Sequence, residues 1–282
     1  MHLASYALLI AASFAAGAIN SVAGGGTVLT FPALLAVGVA PITANATSTI
    51  SLVIGSFSSA YGYRKEVGEA RGLMIWMLIP SAIGGLIGAI ILLRVGDSSF
   101  KLLVPWLILG AATLFLVQDP ISRIMRARTE QAARRVAAKS EGPGAGLEKL
   151  AHDPNNPAGA ALGGALFFQF LVSIYGGFFG AGIGILQLAS LGFLGLTNIH
   201  RMNAIKTMTS SIINLIATII FIHAGRIDWG IAAIMTIGAV AGGYGGAGFA
   251  RKIGQPAVRK IVIGVGFGIA GLMFYRQTHG GM

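Results

Sequence analysis

Two clusters of glycine interrupt long apolar runs, and their freed backbone groups could do chemistry. The glycines concerned are Gly24, Gly25 and Gly26 in the first cluster, and Gly180, Gly182 and Gly184 in the second. In hydrocarbon, a broken helix is tolerated only where its backbone is buried in protein or lines a cavity. A helix that begins at such a break offers unpaired N–H groups and a positive dipole end, which suit an anion. The alternative is that these glycines only allow close helix packing, but their recurrence in two halves favours a binding site.

Hydroxyl, phenol and amide side chains flank the breaks and open the helices that follow. They are Asn20, Ser21, Thr27, Thr47, Ser48, Tyr175 and Asn203. Such groups can donate hydrogen bonds to an oxyanion without carrying a charge. The alternative is that the asparagines cap helices and the hydroxyls bond back to their own backbone. Both interpretations stay open at this point.

Lys206 is the charged residue that we expect to bind substrate. It lies about one turn inside a predicted helix, and residues 207–225 after it carry no charge. An ionisable group within a membrane segment is a functional hypothesis by default, although a lysine near a helix end can also extend to the membrane surface. Thr49 is the nearest match in the first half, so the cationic contribution comes from one half only.

No catalytic residue, metal ligand set or cofactor motif is predicted. The chain has no cysteine, and its five histidines form neither a metal-ligand cluster nor a nucleophile–base signature. There is no phosphate-binding loop of the Walker type. We therefore expect no enzyme activity, no cofactor and no metal.

The composition identifies the elements that must position these residues. The chain is 55% hydrophobic and 10% charged, whereas soluble domains carry about a quarter charged residues. A spanning helix needs about 20 apolar residues. The runs without Lys, Arg, Asp or Glu are 1–63, 72–93, 102–118, 154–200, 207–225, 229–250 and 261–275. The pattern predicts an all-α, polytopic membrane protein.

The two halves resemble each other at a separation of about 157 residues, as the two glycine clusters and the pair Asn45 and Asn203 illustrate. Each half is predicted to hold about five helical elements, the first two joined at a glycine break. The elements are 4–20, 27–38, 43–63, 72–93 and 102–118, then 159–176, 184–196, 203–224, 229–250 and 257–275. Because five is odd, the second half would enter the membrane from the opposite side, which makes the halves inverted repeats. The predicted units are 1–118, a basic cytoplasmic linker at 119–158, and 159–282.

The basic residues support this topology. With the linker in the cytoplasm, sixteen of the 20 lysines and arginines lie on that side, and only Arg94, Lys101, Arg226 and Arg276 lie on the other. This asymmetry is the positive-inside pattern, so the net charge of +11 is a topology signal and no nucleic-acid partner is expected. Residues 121–139 could be a basic helix on anionic headgroups or a solvated tether, which we favour.

Around the glycine clusters the sequence resembles a known family. The segment from Asn20 to Leu34 is similar to the first signature of the TauE/SafE sulfite exporter family, and the segment from Gly176 to Gly184 is similar to its second. The similarity covers both halves, roughly 14–117 and 160–275. The resemblance implies transport of small anions: sulfite, organosulfonates and related carboxylates.

We therefore predict a secondary transporter that binds a small anion between its halves and works by alternating access. It would be a multi-pass protein of the cell membrane, the inner membrane in a Gram-negative bacterium, with the lipid bilayer as its other partner. Whether copies associate as a homo-oligomer stays open. The chief alternative is a passive anion channel lined by the same residues. A membrane enzyme, or a component of a larger assembly docked through the linker, are further alternatives.

Overall fold

The computed structural model describes residues 2–22, 25–62, 67–68, 70–137, 159–194, 196, 198–253 and 255–279. Within these ranges every regular element is a helix, which confirms the predicted all-α class. In chain order the helices are α1 (Leu3–Val22), α2 (Thr27–Ala36), α3 (Pro41–Gly62), α4 (Arg71–Ala137), α5 (Gly159–Phe178), α6 (Ile183–Phe193), α7 (Ile199–His223), α8 (Trp229–Ile253) and α9 (Gln255–Thr278).

Apolar composition gives several helices the character of membrane spans. Three stretches are long and apolar enough to cross a bilayer: Leu3–Asn20, Arg71–Val117 and Arg201–His223. The second of these is 47 residues long, more than twice the length that one crossing needs. The chain is thus an integral membrane protein, as its composition predicts.

Helix α4 contains two of the predicted elements and extends into the predicted linker. Its only non-helical residue is Gly96, with φ 77° and ψ 159°. Such a positive φ suits glycine because a Cβ atom would be strained there. The bend divides α4 into a first part before Gly96 and a second part after it. The second part stays helical to Ala137, so the beginning of the linker is helical, while 138–158 lie outside the described residues.

The glycine clusters form the tips of two short helical hairpins. Helices α1 and α2 meet at the first cluster, and α5 and α6 meet at the second. Gly25, Gly180 and Gly182 have φ values of 95°, 79° and 78°, a left-handed conformation that lets the chain reverse within a few residues. The predicted positions of both breaks are therefore confirmed.

The hairpins pack reciprocally between the two halves of the chain. Helix α1 runs parallel to α8, since a Cβ at Gly238 would meet Ile10 and one at Gly242 would meet Phe14. Helix α5 runs parallel to the first part of α4, since a Cβ at Gly84 would meet Phe170 and one at Gly88 would meet Phe178. In each case the first element of one half packs along the fourth element of the other.

The fourth elements of the two halves run in opposite directions. Helix α3 is parallel to α8, because Ser51 bonds to the carbonyl of Ala232 and Gly55 lies against Ala239. Helix α3 is antiparallel to the first part of α4, because Ile42 N–H donates to Asp97 at 2.9 Å while residues 63–70 join the other ends of the two helices. It follows that α8 and the first part of α4 are antiparallel.

Candidate functional site

A cavity lies where the two hairpin tips meet α3 and α7. It is partly open to its surroundings and has a volume of about 50 Å³. It is lined by Asn20, Gly25, Thr27, Leu52, Ser56, Gly180, Ile183, Gly184, Lys206, Thr207, Ser210 and Asn214. Both halves of the chain contribute, and the breaks in both hairpins reach it.

Lys206 provides the positive charge of this cavity. Its side chain is only 4% exposed, and α7 carries it to the cavity at the third turn of the helix. In the described part of the chain, no carboxylate lies within ion-pair distance of Lys206. Arg226 and Asp97 do form an ion pair at 3.1 Å, but neither residue lines the cavity. A buried ammonium group without a counter-charge is costly unless a ligand supplies one.

The two hairpin tips differ in how their N–H groups are used. In the first hairpin, Gly26 N–H donates to Asn20 Oδ1 at 2.8 Å, so this donor already has an acceptor. In the second, α6 begins at Ile183 after the left-handed residue Gly182. No acceptor among the described residues bonds to the N–H of Gly184, which lines the cavity. The N–H of Thr27, which begins α2 and also lines the cavity, has no acceptor among the described residues either. Each hairpin tip therefore offers a backbone donor to the cavity, and the first tip has one further donor that is already engaged.

Hydrogen-bond partners decide which polar side chains remain available. The hydroxyls of Ser56 and Ser210 donate to Leu52 O and to Gln187 Oε1. The amide oxygen of Asn20 accepts from Gly26, which leaves its Nδ2 group as a donor. Together with Lys206 and Gly184, the cavity presents several donors, a composition that suits an anion.

Gln187 connects the second hairpin to the helix that carries Lys206. It is 1% exposed, and its Nε2 donates to Thr209 Oγ1 at 2.9 Å while its Oε1 accepts from Ser210 at 2.6 Å. Thr209 in turn donates to the carbonyl of Ile205 at 2.9 Å, with the carbonyl of Lys206 at 3.1 Å as an alternative acceptor. Gln187 thus fixes the position of α6 relative to the cavity-facing turn of α7.

Six residues predicted to bind substrate line the cavity, and six lie elsewhere. The lining residues are Asn20, Gly25, Thr27, Gly180, Gly184 and Lys206. Those outside the lining are Gly26, Thr47, Ser48, Tyr175, Gly182 and Asn203. Gly24 lies outside the described residues, as does the side chain of Ser21.

Several of the residues outside the lining support the structure around the site. The hydroxyl of Tyr175 donates to Ala181 O at 2.7 Å and fixes the second tip. Ser48 bonds to Thr30 at 2.6 Å, and Thr47 accepts from Asp228 N–H at 3.1 Å. Asn203 is buried, and its Oδ1 has no partner in the described part of the chain.

Six lining residues are not among those predicted from sequence: Leu52, Ser56, Ile183, Thr207, Ser210 and Asn214. The internal repeat could have identified four of them. Leu52 and Ser56 lie one turn apart on α3, and Ser210 and Asn214 lie one turn apart at the equivalent place on α7. Ile183 had no such signal, since an apolar residue in an apolar segment does not stand out.

Comparison with known proteins gives a consistent result over nearly the whole chain. A family model described as sulfite exporter TauE/SafE matches residues 9–273. A probable membrane transporter protein of Haemophilus influenzae is 29% identical over 276 residues, which cover 96% of this chain and 95% of that protein. The probable membrane transporter protein ORF9 of Sinorhizobium sp is 24% identical, covering 97% and 94%. The probable membrane transporter protein YfcA of Escherichia coli K12 is 25% identical, covering 94% and 87%. No solved structure matches the chain.

Proposed function

Since the chain belongs to the sulfite exporter TauE/SafE family of membrane transporters, we propose that it is a secondary transporter of small anions. The substrate class is sulfite, an organosulfonate or a related small carboxylate. It would be carried across the cell membrane by alternating access between two inverted halves.

One observation carries the proposal: Lys206 is buried against a cavity and has no carboxylate partner in the described part of the chain. An anion would provide the missing counter-charge. The N–H of Gly184 and the amide of Asn20 would complete its coordination, because both border the same cavity. Charge-assisted hydrogen bonds of this kind are worth about 1.5–3 kcal/mol each.

Two packing features support the inverted arrangement. The first element of each half packs along the fourth element of the other, and both of these contacts are parallel. The fourth elements themselves run in opposite directions, as the contacts of α3 require. A pseudo-twofold axis in the membrane plane would produce both features.

Exposed apolar side chains support the bilayer as the second partner. On helices of the described chain, Trp106, Phe167 and Ile237 are 63%, 64% and 71% exposed. Such exposure suits contact with acyl chains, and would be costly in water. We propose a multi-pass location in the cell membrane, the inner membrane in a Gram-negative host, with self-association of the chain left to measurement.

The experiment is anion counterflow in proteoliposomes, with sulfite, methanesulfonate, acetate and sulfate offered in turn. We expect saturable flux and counterflow of at least one anion. For Lys206→Gln, we expect KM to rise roughly 10- to 100-fold, because one charge-assisted contact is lost. Lys101→Gln is the matched control, since Lys101 is exposed and lies outside the cavity lining.

Each outcome of this experiment bears on the proposal. Flux that does not saturate and shows no counterflow would identify a passive channel. Counterflow that survives Lys206→Gln with an unchanged KM would remove Lys206 from the site. If the wild-type protein moves none of the four anions, the proposed substrate class is wrong.

A further inference from the structure

The repeat relationship between α3 and α7 pairs residues across the cavity. The separation between Asn45 and Asn203 is 158 positions, and the same shift pairs Leu52 with Ser210 and Ser56 with Asn214. All four of these paired residues line the cavity. The site is therefore built from equivalent positions of the two halves, and any difference between paired residues makes it asymmetric.

Because of this asymmetry, the charged group of the cavity lies on α7 and an apolar side chain lies on α3. At this shift of 158 positions Lys206 corresponds to Ser48, whereas a shift of 157 gives Thr49. Ser48 is bonded to Thr30 and does not line the cavity. Ser210 corresponds to Leu52. The α7 side thus offers the ammonium group of Lys206, while Leu52 on the α3 side offers an aliphatic side chain; the hydroxyl of Ser210 already donates to Gln187. An anion bound to Lys206 would leave its remaining surface against Leu52.

Leu52 is held firmly in this place. Its side chain is 3% exposed and packs with Ala16 on α1 and Ala239 on α8, with Leu29 of α2 beside them. Gly55, one turn away, faces the backbone of Ala239 on α8, where an added Cβ would be in van der Waals contact. The aliphatic surface is a fixed part of the cavity, and it cannot accept or donate a hydrogen bond to an oxyanion.

We propose that Leu52 is a specificity-determining residue of the transporter. It favours anions that carry a short apolar group beside the charged head over bare oxyanions, because it offers apolar contact in place of a hydrogen bond. This inference rests on the proposed function. Burying one further methylene group favours binding about fourfold, whereas an oxyanion oxygen left against leucine loses a hydrogen bond.

The test measures inhibition of radiolabelled sulfite counterflow by methanesulfonate, ethanesulfonate and 1-propanesulfonate. Sulfonates stay ionised at working pH, so leakage through the bilayer does not confuse the comparison. For the wild type we expect the inhibition constant to fall about fourfold with at least one added methylene. For Leu52→Ser, which copies the paired residue Ser210, we expect the three sulfonates to have the same inhibition constant. We also expect the KM for sulfite to fall.

Two further variants keep the test decisive. Ile54→Ser is the matched control, because Ile54 lies on the same helix but is 46% exposed and outside the cavity lining. Its inhibition constants should depend on sulfonate chain length as those of the wild type do. If Leu52→Ser does not fold, Leu52→Ala takes its place and should at least halve the dependence on chain length.

The inference and the proposed function fail in different ways. A wild-type protein that transports sulfite but shows no dependence on chain length overturns the role of Leu52 alone. The same holds if Leu52→Ser keeps the wild-type dependence. A wild-type protein that transports none of sulfite, methanesulfonate and acetate overturns the proposed substrate class, and with it this inference.

Discussion

At the scale of single residues, the site depends on which polar groups already have partners. Asn20 and Ser210 both line the cavity, but the oxygen of one and the hydroxyl proton of the other are engaged inside the protein. Lys206 has no described carboxylate beside it. A buried polar group that lacks a partner costs more than a hydrogen bond gains, so the unpaired groups determine what the cavity can hold.

Gln187 provides a test of positioning at this scale. Gln187→Leu removes the bonds to Thr209 and Ser210 and so releases the turn of α7 that carries Lys206. We expect the free energy of unfolding to fall by about 1–3 kcal/mol and the KM for the transported anion to rise roughly tenfold. Thermal unfolding in detergent and counterflow in proteoliposomes measure the two effects.

Gln169→Leu is the matched control for this substitution. Gln169 is equally buried and bonds to Ser81 and Ser173, but it does not line or border the cavity. It should lose similar stability and keep its KM. If both variants raise KM alike, Gln187 has only a general structural role.

Sequence located cavity-lining residues best where a residue had few alternatives. Lys206 stands alone in an uncharged segment, and glycine clusters in hydrocarbon have few uses; Lys206, Gly25, Gly180 and Gly184 all line the cavity, and their binding of substrate stays a prediction. Tyr175, Thr47 and Ser48 are polar residues in the same neighbourhood, but their partners are Ala181, Asp228 and Thr30. Sequence shows that such a residue needs a partner, and only the packed structure shows which partner it has.

At the scale of elements, glycine determines how closely the helices of the two halves approach. A Cβ atom at Gly242 would meet the backbone of Phe14, and one at Gly177 would meet the backbone of Gly85. Backbone atoms cannot move aside as a flexible side chain can. These contacts connect α1 with α8 and α5 with α4, so they also fix the hairpin tips that border the cavity.

The packing role of these glycines can be measured with single alanines. Gly242→Ala should destabilise the protein by about 1–3 kcal/mol, because the added methyl group has no space. Gly268→Ala, on α9, has nothing within 4 Å of the new Cβ and should be neutral or stabilise by up to about 1 kcal/mol. Thermal unfolding of the two variants in the same detergent gives the comparison. Equal melting temperatures would show that α1 and α8 can separate without cost.

Element boundaries were predicted closely at the glycine breaks and less well around α4. The hairpins begin and end within a few residues of the predicted positions, because glycine there is needed for the reversal of the chain. The predicted gap at 94–101 is instead one bend at Gly96. Charged residues such as Arg94 and Asp97 indicate a membrane surface, and a helix can continue through that surface.

At the scale of the whole molecule, the proposed inverted arrangement is consistent with both the charge pattern and the packing. Asp97 follows the bend in α4, and it bonds to both Ile42 N–H and Arg226. These three segments, from both halves, therefore lie on one side of the protein. That is the side to which the distribution of basic residues assigns only four of the 20 positive charges.

This arrangement predicts which cysteines an impermeant thiol reagent will reach. The chain has no native cysteine, so single substitutions report without background. Ser98 and Ala224 are exposed and their side chains make no described hydrogen bond, which makes Ser98→Cys and Ala224→Cys mild changes on the side of Asp97. Ser140→Cys reports the predicted cytoplasmic linker. In intact cells we expect labelling at positions 98 and 224, and labelling at 140 only after the membrane is opened.

The labelling result also tests whether the two halves are inverted. Helix α8 and the first part of α4 are antiparallel, and the repeat pairs them as the fourth elements of the two halves. If positions 98 and 224 lie on one side of the membrane, these two elements cross it in opposite directions, so each half enters from the side opposite to the other. Alternating access about one central cavity then follows from exchanging the conformations of two similar halves. Labelling of 98 and 140 from the same side would mean that the second part of α4 does not cross the membrane, and an inverted mechanism would have to be abandoned.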